Sequence, residues 1–327
     1  MYVLGIETSC DETAAAVVKD GRRICSNVVS SSLSFHKKYG GVIPEIAFRR
    51  QLETIAQVAD SSLKEAGVAL SRIKLVSVTS GPGLLGSLLV GISFAKSVSQ
   101  SLKVPLLGVD HLQSHIYANF LNRQDLPLPF AALVVSGGHT SLFYLKDFDA
   151  IQLLGSTLDD ACGETFDKVA KILGLGYPGG PLIESMAKKG NPKKIKFNCS
   201  DTENPLDFSF SGIKTAVLYW VRKRDPQPAE KRDIAASFQE SAIDTLVRKS
   251  ILACRMKNVN KLLVGGGVAA NSRLREKLLQ AGTDKGVKVY FPARQLCMDN
   301  AAMVAGLGYQ LFKKGHQSDL SLNADLN

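Results

Sequence analysis

His111 and His115 lie four residues apart, in a stretch that starts as an apolar strand over residues 105–109 and continues as a helix. Residues i and i+4 share one helix face, so the two imidazoles can be aimed at one point. That is the geometry a divalent metal takes from a single helix. Position 112 is leucine, so the stretch lacks the general base of the His-Glu-x-x-His zinc proteases. Two histidines do not complete a site, and by themselves they read as solvated or capped side chains. A carboxylate must join them. Asp299, in Cys297-Met298-Asp299-Asn300 ahead of an apolar helix, is the best-placed loop carboxylate, although its position also suits a helix N-cap.

The elements that must bring residues 111 and 299 together follow from hydrophobic patterning. Apolar runs at 2–6, 13–18 and 24–29 form a β-meander whose first turn, Glu7-Thr8-Ser9-Cys10-Asp11-Glu12, is polar and acidic. Residues 44–66 have helical spacing that Gly67 ends, 75–78 form a strand, and a glycine loop at 81–86 opens a helix to about 102. A similar order starts again at 131: a strand at 131–135, the tight turn Ser136-Gly137-Gly138-His139-Thr140, and a strand at 142–145. It resumes with a strand at 261–264, a glycine loop at 265–271 and a helix from Ser272. The repetition predicts an α/β fold built from a duplicated unit, two lobes around a central cleft. The expected lobes are residues 1–110, completed by a C-terminal helical segment at about 299–327, and residues 111–298. The second lobe carries a helical insertion at about 156–240, with helices at 160–173, 181–188, 213–221 and 229–256. A final helix opens near 299 and runs to about 314.

Composition narrows the class. In 327 residues, 45% are hydrophobic and 21% charged, which suits a soluble chain with a sizeable core. The net charge of +10, with basic groups such as Lys193-Lys194 and Arg222-Lys223-Arg224, favours an anionic partner, nucleic acid first; a solubilising surface is the alternative. Six cysteines without a Cys-x-x-Cys pair read as reduced thiols of a cytoplasmic protein. The acidic N-terminus is unlike a signal peptide, and the longest apolar stretch, 84–95, is too short to span a bilayer.

Other motifs are weaker. Gly81-x-Gly83-x-x-Gly86 matches the dinucleotide pattern, but a meander precedes it, so a loop packed on a neighbour or closed on a phosphate is the better reading. The backbone N–H groups of Ser136-Gly137-Gly138 can cradle phosphate oxygens, or simply turn a hairpin. Thr157 and Asp160 have capping-box spacing, and Asp167 with Lys171 has the spacing of a helical ion pair.

Eight stretches taken together carry a resemblance. They are Val-Leu-Gly-Ile-Glu-Thr-Ser-Cys-Asp-Glu-Thr at 3–13, His-x-x-x-His at 111–115, Val-Ser-Gly-Gly-His-Thr at 135–140 and Asp-Asp-x-x-Gly-Glu-x-Phe-Asp-Lys at 159–168. Tyr-Pro-Gly-Gly-Pro at 177–181, Ser-Phe-Ser-Gly-x-Lys-Thr at 209–215, Val-Gly-Gly-Gly-Val-Ala-Ala-Asn at 264–271 and Cys-Met-Asp-Asn at 297–300 complete the set. In this order the sequence resembles the tRNA threonylcarbamoyladenosine transferase family in its bacterial (TsaD) form, once described as a sialoglycoprotein endopeptidase. The resemblance implies an actin-like ATPase fold of the sugar-kinase and heat-shock ATPase type. It implies transfer of a threonylcarbamoyl group from threonylcarbamoyl-AMP to N6 of adenosine 37 in tRNAs that read codons beginning with A. Matched position by position, it implies His111, His115 and Asp299 as metal ligands. Val134, Val135, Ser136, Gly137, Gly138, Asp167, Gly180 and Asn271 would hold the adenylate, and Asp11 and Glu12 would lie near the reacting group. It also implies a TsaB-like paralogue and a TsaE-like ATPase as partners. Two positions depart from the pattern: Val134 stands where some members carry a tyrosine ligand, and Glu184 where many carry a ribose-binding aspartate. Two imidazoles and one carboxylate suit Fe(2+), with Zn(2+) next. Outside this resemblance, an actin-like ATPase or kinase and a metalloprotease are the competing classes, the latter weakened by Leu112.

Overall fold

The computed structural model describes residues 1–123 and 126–325. Contacts divide the chain into two units, Met1–Pro127 with Met298–Asn327, and Leu128–Cys297. The boundary expected at 110 therefore moves: residues 111–127, with both histidines, group with the first unit.

In the first unit the meander forms β1 (Tyr2–Glu7), β2 (Glu12–Lys19) and β3 (Arg23–Ser31). A single helical turn, α1 (Leu33–His36), leads to α2 (Pro44–Ala66). Pro44 starts α2 where a missing N–H costs nothing, and Gly67 ends it in the left-handed conformation. Then come β4 (Ile73–Gly81), α3 (Leu85–Leu102), β5 (Leu106–Asp110) and α4 (His111–Tyr117). The sheet order is β3-β2-β1-β4-β5. Its inner strands are buried on both faces, which is why they read as continuous apolar runs.

In the second unit, β6 (Phe130–Val135), β7 (Thr140–Asp147) and β8 (Ala150–Ser156) form another meander. Helices α5 (Cys162–Ile172), α6 (Gly179–Ala187), α7 (Ser211–Arg224) and α8 (Pro228–Met256) follow, then β9 (Lys261–Gly265), α9 (Ser272–Lys285) and β10 (Lys288–Tyr290). The order β10-β9-β6-β7-β8 is that of the first sheet: β6 pairs antiparallel with β7 and parallel with β9, as β1 does with β2 and β4. The duplication expected from the sequence is thus present strand for strand. The insertion does not end at 240, because that position falls inside the continuous α8, which buries Ile234, Phe238, Ile243 and Leu246 in the core.

The chain returns to the first unit as α10 (Ala301–Lys313), shorter than the C-terminal segment expected to 327, whose last two residues lie outside the described ones. α10 lies directly on β1: a methyl group at Gly5 would sit 2.3 Å from the Ala301 carbonyl oxygen. Ser77 Oγ on β4 donates to the Val304 carbonyl at 3.0 Å. This docking brings Asp299 beside α4. Among the described residues no helix is long and apolar enough to cross a membrane.

Candidate functional site

Asp110 starts α4 by capping it, its Oδ1 accepting the Gln113 N–H at 2.7 Å. His111 and His115 follow, both buried, with ring centroids 4.6 Å apart and edge-on. The cap of α10 falls on Asn300, whose Oδ1 accepts the Met303 N–H at 3.1 Å. Asp299 is therefore not the cap. It stands one residue outside, with Oδ1 3.0 Å from His115 Nε2 and 3.8 Å from His111 Nε2. One ligand atom from each of the three side chains lies within 4.8 Å of the other two. His115 Nδ1 is buried with no hydrogen-bond partner among the described residues. Two imidazoles and a carboxylate make a donor set that fits a divalent ion, with Fe(2+) and Zn(2+) both compatible.

A fourth residue belongs to this cluster and was not singled out from the sequence. Glu7, fully buried at the end of β1, places Oε2 3.3 Å from His111 Nδ1. Burial works against the charged form of both groups. For Glu7 the neighbouring His111 outweighs it and holds the carboxyl below its usual range. For His111 the Asp299 and Glu7 carboxylates outweigh it and raise the imidazole to about 9. The one sequence signal was a charge at the end of an otherwise apolar strand.

The acidic turn after β1 is clamped from α2 and α3. Gln51 Nε2 donates to the carbonyls of Cys10 and Glu12 at 3.0 and 2.9 Å, and Ser87 Oγ to that of Cys10 at 3.1 Å. The Leu84 N–H donates to the Ser9 carbonyl at 2.7 Å. Ser32 Oγ donates to the Asp11 carbonyl at 2.7 Å. Burial, then the charges of Asp299 and Asp11, push Glu12 up to about 10, so in the ion-free protein it is a neutral acid at pH 7. Burial and the same acidic neighbours push the Cys10 thiol up, which removes it as a thiolate nucleophile.

The glycine loop at 81–86 is packed. Methyl groups at Gly81 and Gly83 would meet the Asp325 and Ser9 carbonyl oxygens at 1.9 and 2.5 Å. Gly81 and Gly83 are thus accounted for by close backbone approach and Gly86 by the Phe48 ring, 2.8 Å from an added methyl group, which is the packing alternative in the sequence.

In the second unit, Val134 and Val135 are sealed in the central strand β6. The turn after it is open: added methyl groups at Gly137 and Gly138 would meet nothing within 4 Å, and the same holds at Gly180. The Ser136 N–H is taken by the His139 carbonyl at 2.8 Å. Asp167 does not act as the simple partner of Lys171. Its Oδ1 accepts the Gly179 N–H at 2.6 Å, and burial raises its pKa. Glu184 Oε1 accepts the Ser272 N–H at 3.2 Å. Asn271 caps α9 through Leu274 N–H at 3.0 Å and donates to Gln239 Oε1 at 3.0 Å. Thr157 Oγ1 bonds the Asp160 carbonyl, whereas the acid at the start of α5 is Glu164, which accepts the Ala161 N–H at 3.3 Å.

A family model described as TsaD, tRNA N6-adenosine threonylcarbamoyltransferase, matches residues 23–306. A protein of that name from Symbiobacterium thermophilum is 52% identical over 98% of this chain and 95% of its own length. The chain belongs to this family. A second member, from Caldicellulosiruptor saccharolyticus, is 50% identical over 99% of this chain and 97% of its own. Among solved structures, HypF of T. kodakarensis aligns with a TM-score of 0.66 at 15% identity, over 96% of this chain and 48% of HypF. The Acidaminococcus fermentans (R)-2-hydroxyglutaryl-CoA dehydratase component A aligns at 0.55 and 16%, over 95% and 98%. These likenesses establish the fold of the family member described here as the actin-like ATPase architecture, and the family makes it a transferase.

Proposed function

We propose that this chain transfers the threonylcarbamoyl group of threonylcarbamoyl-AMP to N6 of adenosine 37 in tRNAs reading codons that begin with A. The observation that carries this reading is near-full-length identity of about half with enzymes of that name. We assign His111, His115 and Asp299 as the ligands of one divalent ion, Fe(2+) before Zn(2+). Such an ion supplies Lewis acidity toward the threonylcarbamoyl carbonyl.

The chain's own residues do the rest. N6 of adenosine is a weak nucleophile because its lone pair is delocalised into the purine, so positioning and proton removal decide the rate. N6 bonds to the carbonyl carbon, the bond from that carbon to the AMP phosphate oxygen breaks, and the N6 proton passes to a carboxylate. Asp11 and Glu12, both in the turn after β1, are the candidate acceptors. The open turn at Ser136, Gly137 and Gly138 is assigned to the adenylate, with Val134, Val135, Asp167, Gly180, Glu184 and Asn271 framing it. Asp167 and Asn271 act by holding backbone, given their partners. The net charge of +10 suits tRNA, and a TsaB-like paralogue and a TsaE-like ATPase are the expected protein partners in the cytoplasm.

The test is metal analysis of the purified protein, then incubation with tRNA and threonylcarbamoyl-AMP, reading modified adenosine. Transfer that is lost with chelator and restored by Fe(2+) or Zn(2+) is expected. ATP turnover without tRNA, or cleavage of protein substrates, in place of transfer would overturn the reading.

A further inference from the structure

We propose that Glu7 is a positioning residue for the metal centre: its carboxylate holds the His111 ring with the proton on Nδ1, so that Nε2 is the nitrogen turned toward His115 and Asp299. The inference rests on the assignment of His111, His115 and Asp299 as ligands.

Both Glu7 oxygens are committed. Oε1 accepts the Ser9 N–H at 2.5 Å, and Oε2 accepts Thr79 Oγ1 at 2.6 Å while facing His111 Nδ1 at 3.3 Å. Ile6 pairs with Val78 in the parallel β1–β4 ladder, so the next residues along, Glu7 and Thr79, stand side by side on neighbouring strands. That is why the hydroxyl reaches the carboxylate. A carboxylate with no exposure is costly unless every acceptor site is used and a cation is near. Ser9 Oγ, 3.2 Å from the same ring nitrogen, completes the cup around Nδ1. On the far side of the ring, Nε2 lies 3.8 Å from Asp299 Oδ1, beyond hydrogen-bond length but suited to two ligands of one ion. A ligating imidazole needs a lone pair on one nitrogen and a fixed proton on the other. A carboxylate on that proton orients the ring and raises the basicity of the metal-binding nitrogen. Glu7 thus acts through His111 and touches neither ion nor substrate.

The test reads metal binding, not transfer. Wild type, Glu7→Gln and His111→Ala are titrated with Co(2+), following its visible bands, and with Zn(2+) against a chromophoric chelator. Glu7→Gln keeps shape and removes the charge, so both affinities should fall roughly 10–100-fold, while His111→Ala should lose the site. Glu7→Gln binding within twofold of wild type would overturn the role of Glu7 and leave the ligand assignment standing. Should Glu7→Gln not fold, Thr79→Val loosens the same carboxylate, with a smaller loss expected in the same direction and no loss counting against the proposal. In Zn(2+)-loaded wild type, 15N NMR should place the His111 proton on Nδ1; a proton on Nε2 overturns the proposal. A wild type that binds neither ion fails the ligand assignment itself, and Glu7 with it.

Discussion

The two sheets share one strand order, and each has a turn after its middle strand, β1 or β6. The turn after β1 is filled. It carries Asp11 and Glu12, follows Glu7, and is tied down by Gln51, Ser87 and Ser32. The turn after β6 is bare: two glycines with open space where side chains would stand. A duplicated backbone therefore delivers two turns of like origin and opposite character. One concentrates negative charge, which suits a cation and proton transfer; the other exposes main chain, which suits an anion. Topology places the turns, and residue type decides what each can handle.

The largest expected effect breaks that division at its acidic end. His115→Ala should lower transfer by more than the roughly 10–100-fold that outer partners of a metal cost, and should remove bound ion, with far-UV circular dichroism unchanged. A metal-free His115→Ala protein with full activity would show that the first sheet does not carry the chemistry.

Glycine substitutions come next, because the two sheets use glycine for different ends. Gly83→Ala drives a methyl into the Ser9 carbonyl and should cost about 1–3 kcal/mol in denaturant unfolding. Gly137→Ala meets nothing and should change stability by less than about 0.5 kcal/mol, yet weaken adenylate binding, measured by calorimetry. Equal stability losses would erase the distinction. The clamps divide in the same way. Gln51→Ala removes two bonds to carbonyls of the acidic turn, of which that of Cys10 keeps Ser87 Oγ, at a cost of about 1–3 kcal/mol, whereas Ser136→Ala removes one acceptor, that of the His139 N–H at 3.2 Å, for about 0.5–1.5 kcal/mol.

Much of this was legible in the sequence, and the reasons differ by element. α2 could be bounded to the residue because Pro44 and Gly67 are local signals that need no tertiary context. The repeat of strand–turn–strand and strand–glycine loop–helix along the chain was legible because its central strands are buried and apolar throughout. β8 was not: most of its residues are exposed or half-exposed, so it lacks that signature. The pairing of Asp299 with His115 could be guessed from chemistry, but the cap on Asn300 that frees the position for it could not, since adjacent acid and amide both suit capping. Glu7 was missed for a different reason. Its partner lies 104 residues away, and only the β1–β4 ladder and the start of α4 bring them together. Local chemistry reads well from sequence, and long-range partnership does not.

The weakest expected effect contrasts the ion pairs of the two units. His111 with Glu7 is buried, whereas Glu240 in the second unit is partly exposed, meeting Arg273 at 2.8 Å and Lys277 at 2.6 Å. Arg273, ahead of any burial effect, and then Lys277 hold the Glu240 carboxyl down to about 2, against an ordinary value of 4.5. A carboxyl lowered in the folded state binds fewer protons there than in the unfolded chain. Its contribution is therefore present above about pH 4.5 and is lost as pH falls toward about 2. Solvent screening keeps that contribution to about 1 kcal/mol or less. Thermal midpoints of wild type and Glu240→Gln should differ slightly at pH 7, and the gap should close steadily below pH 4.5. A gap that stays constant down to pH 3 would mean that packing, not charge, is what the glutamate contributes.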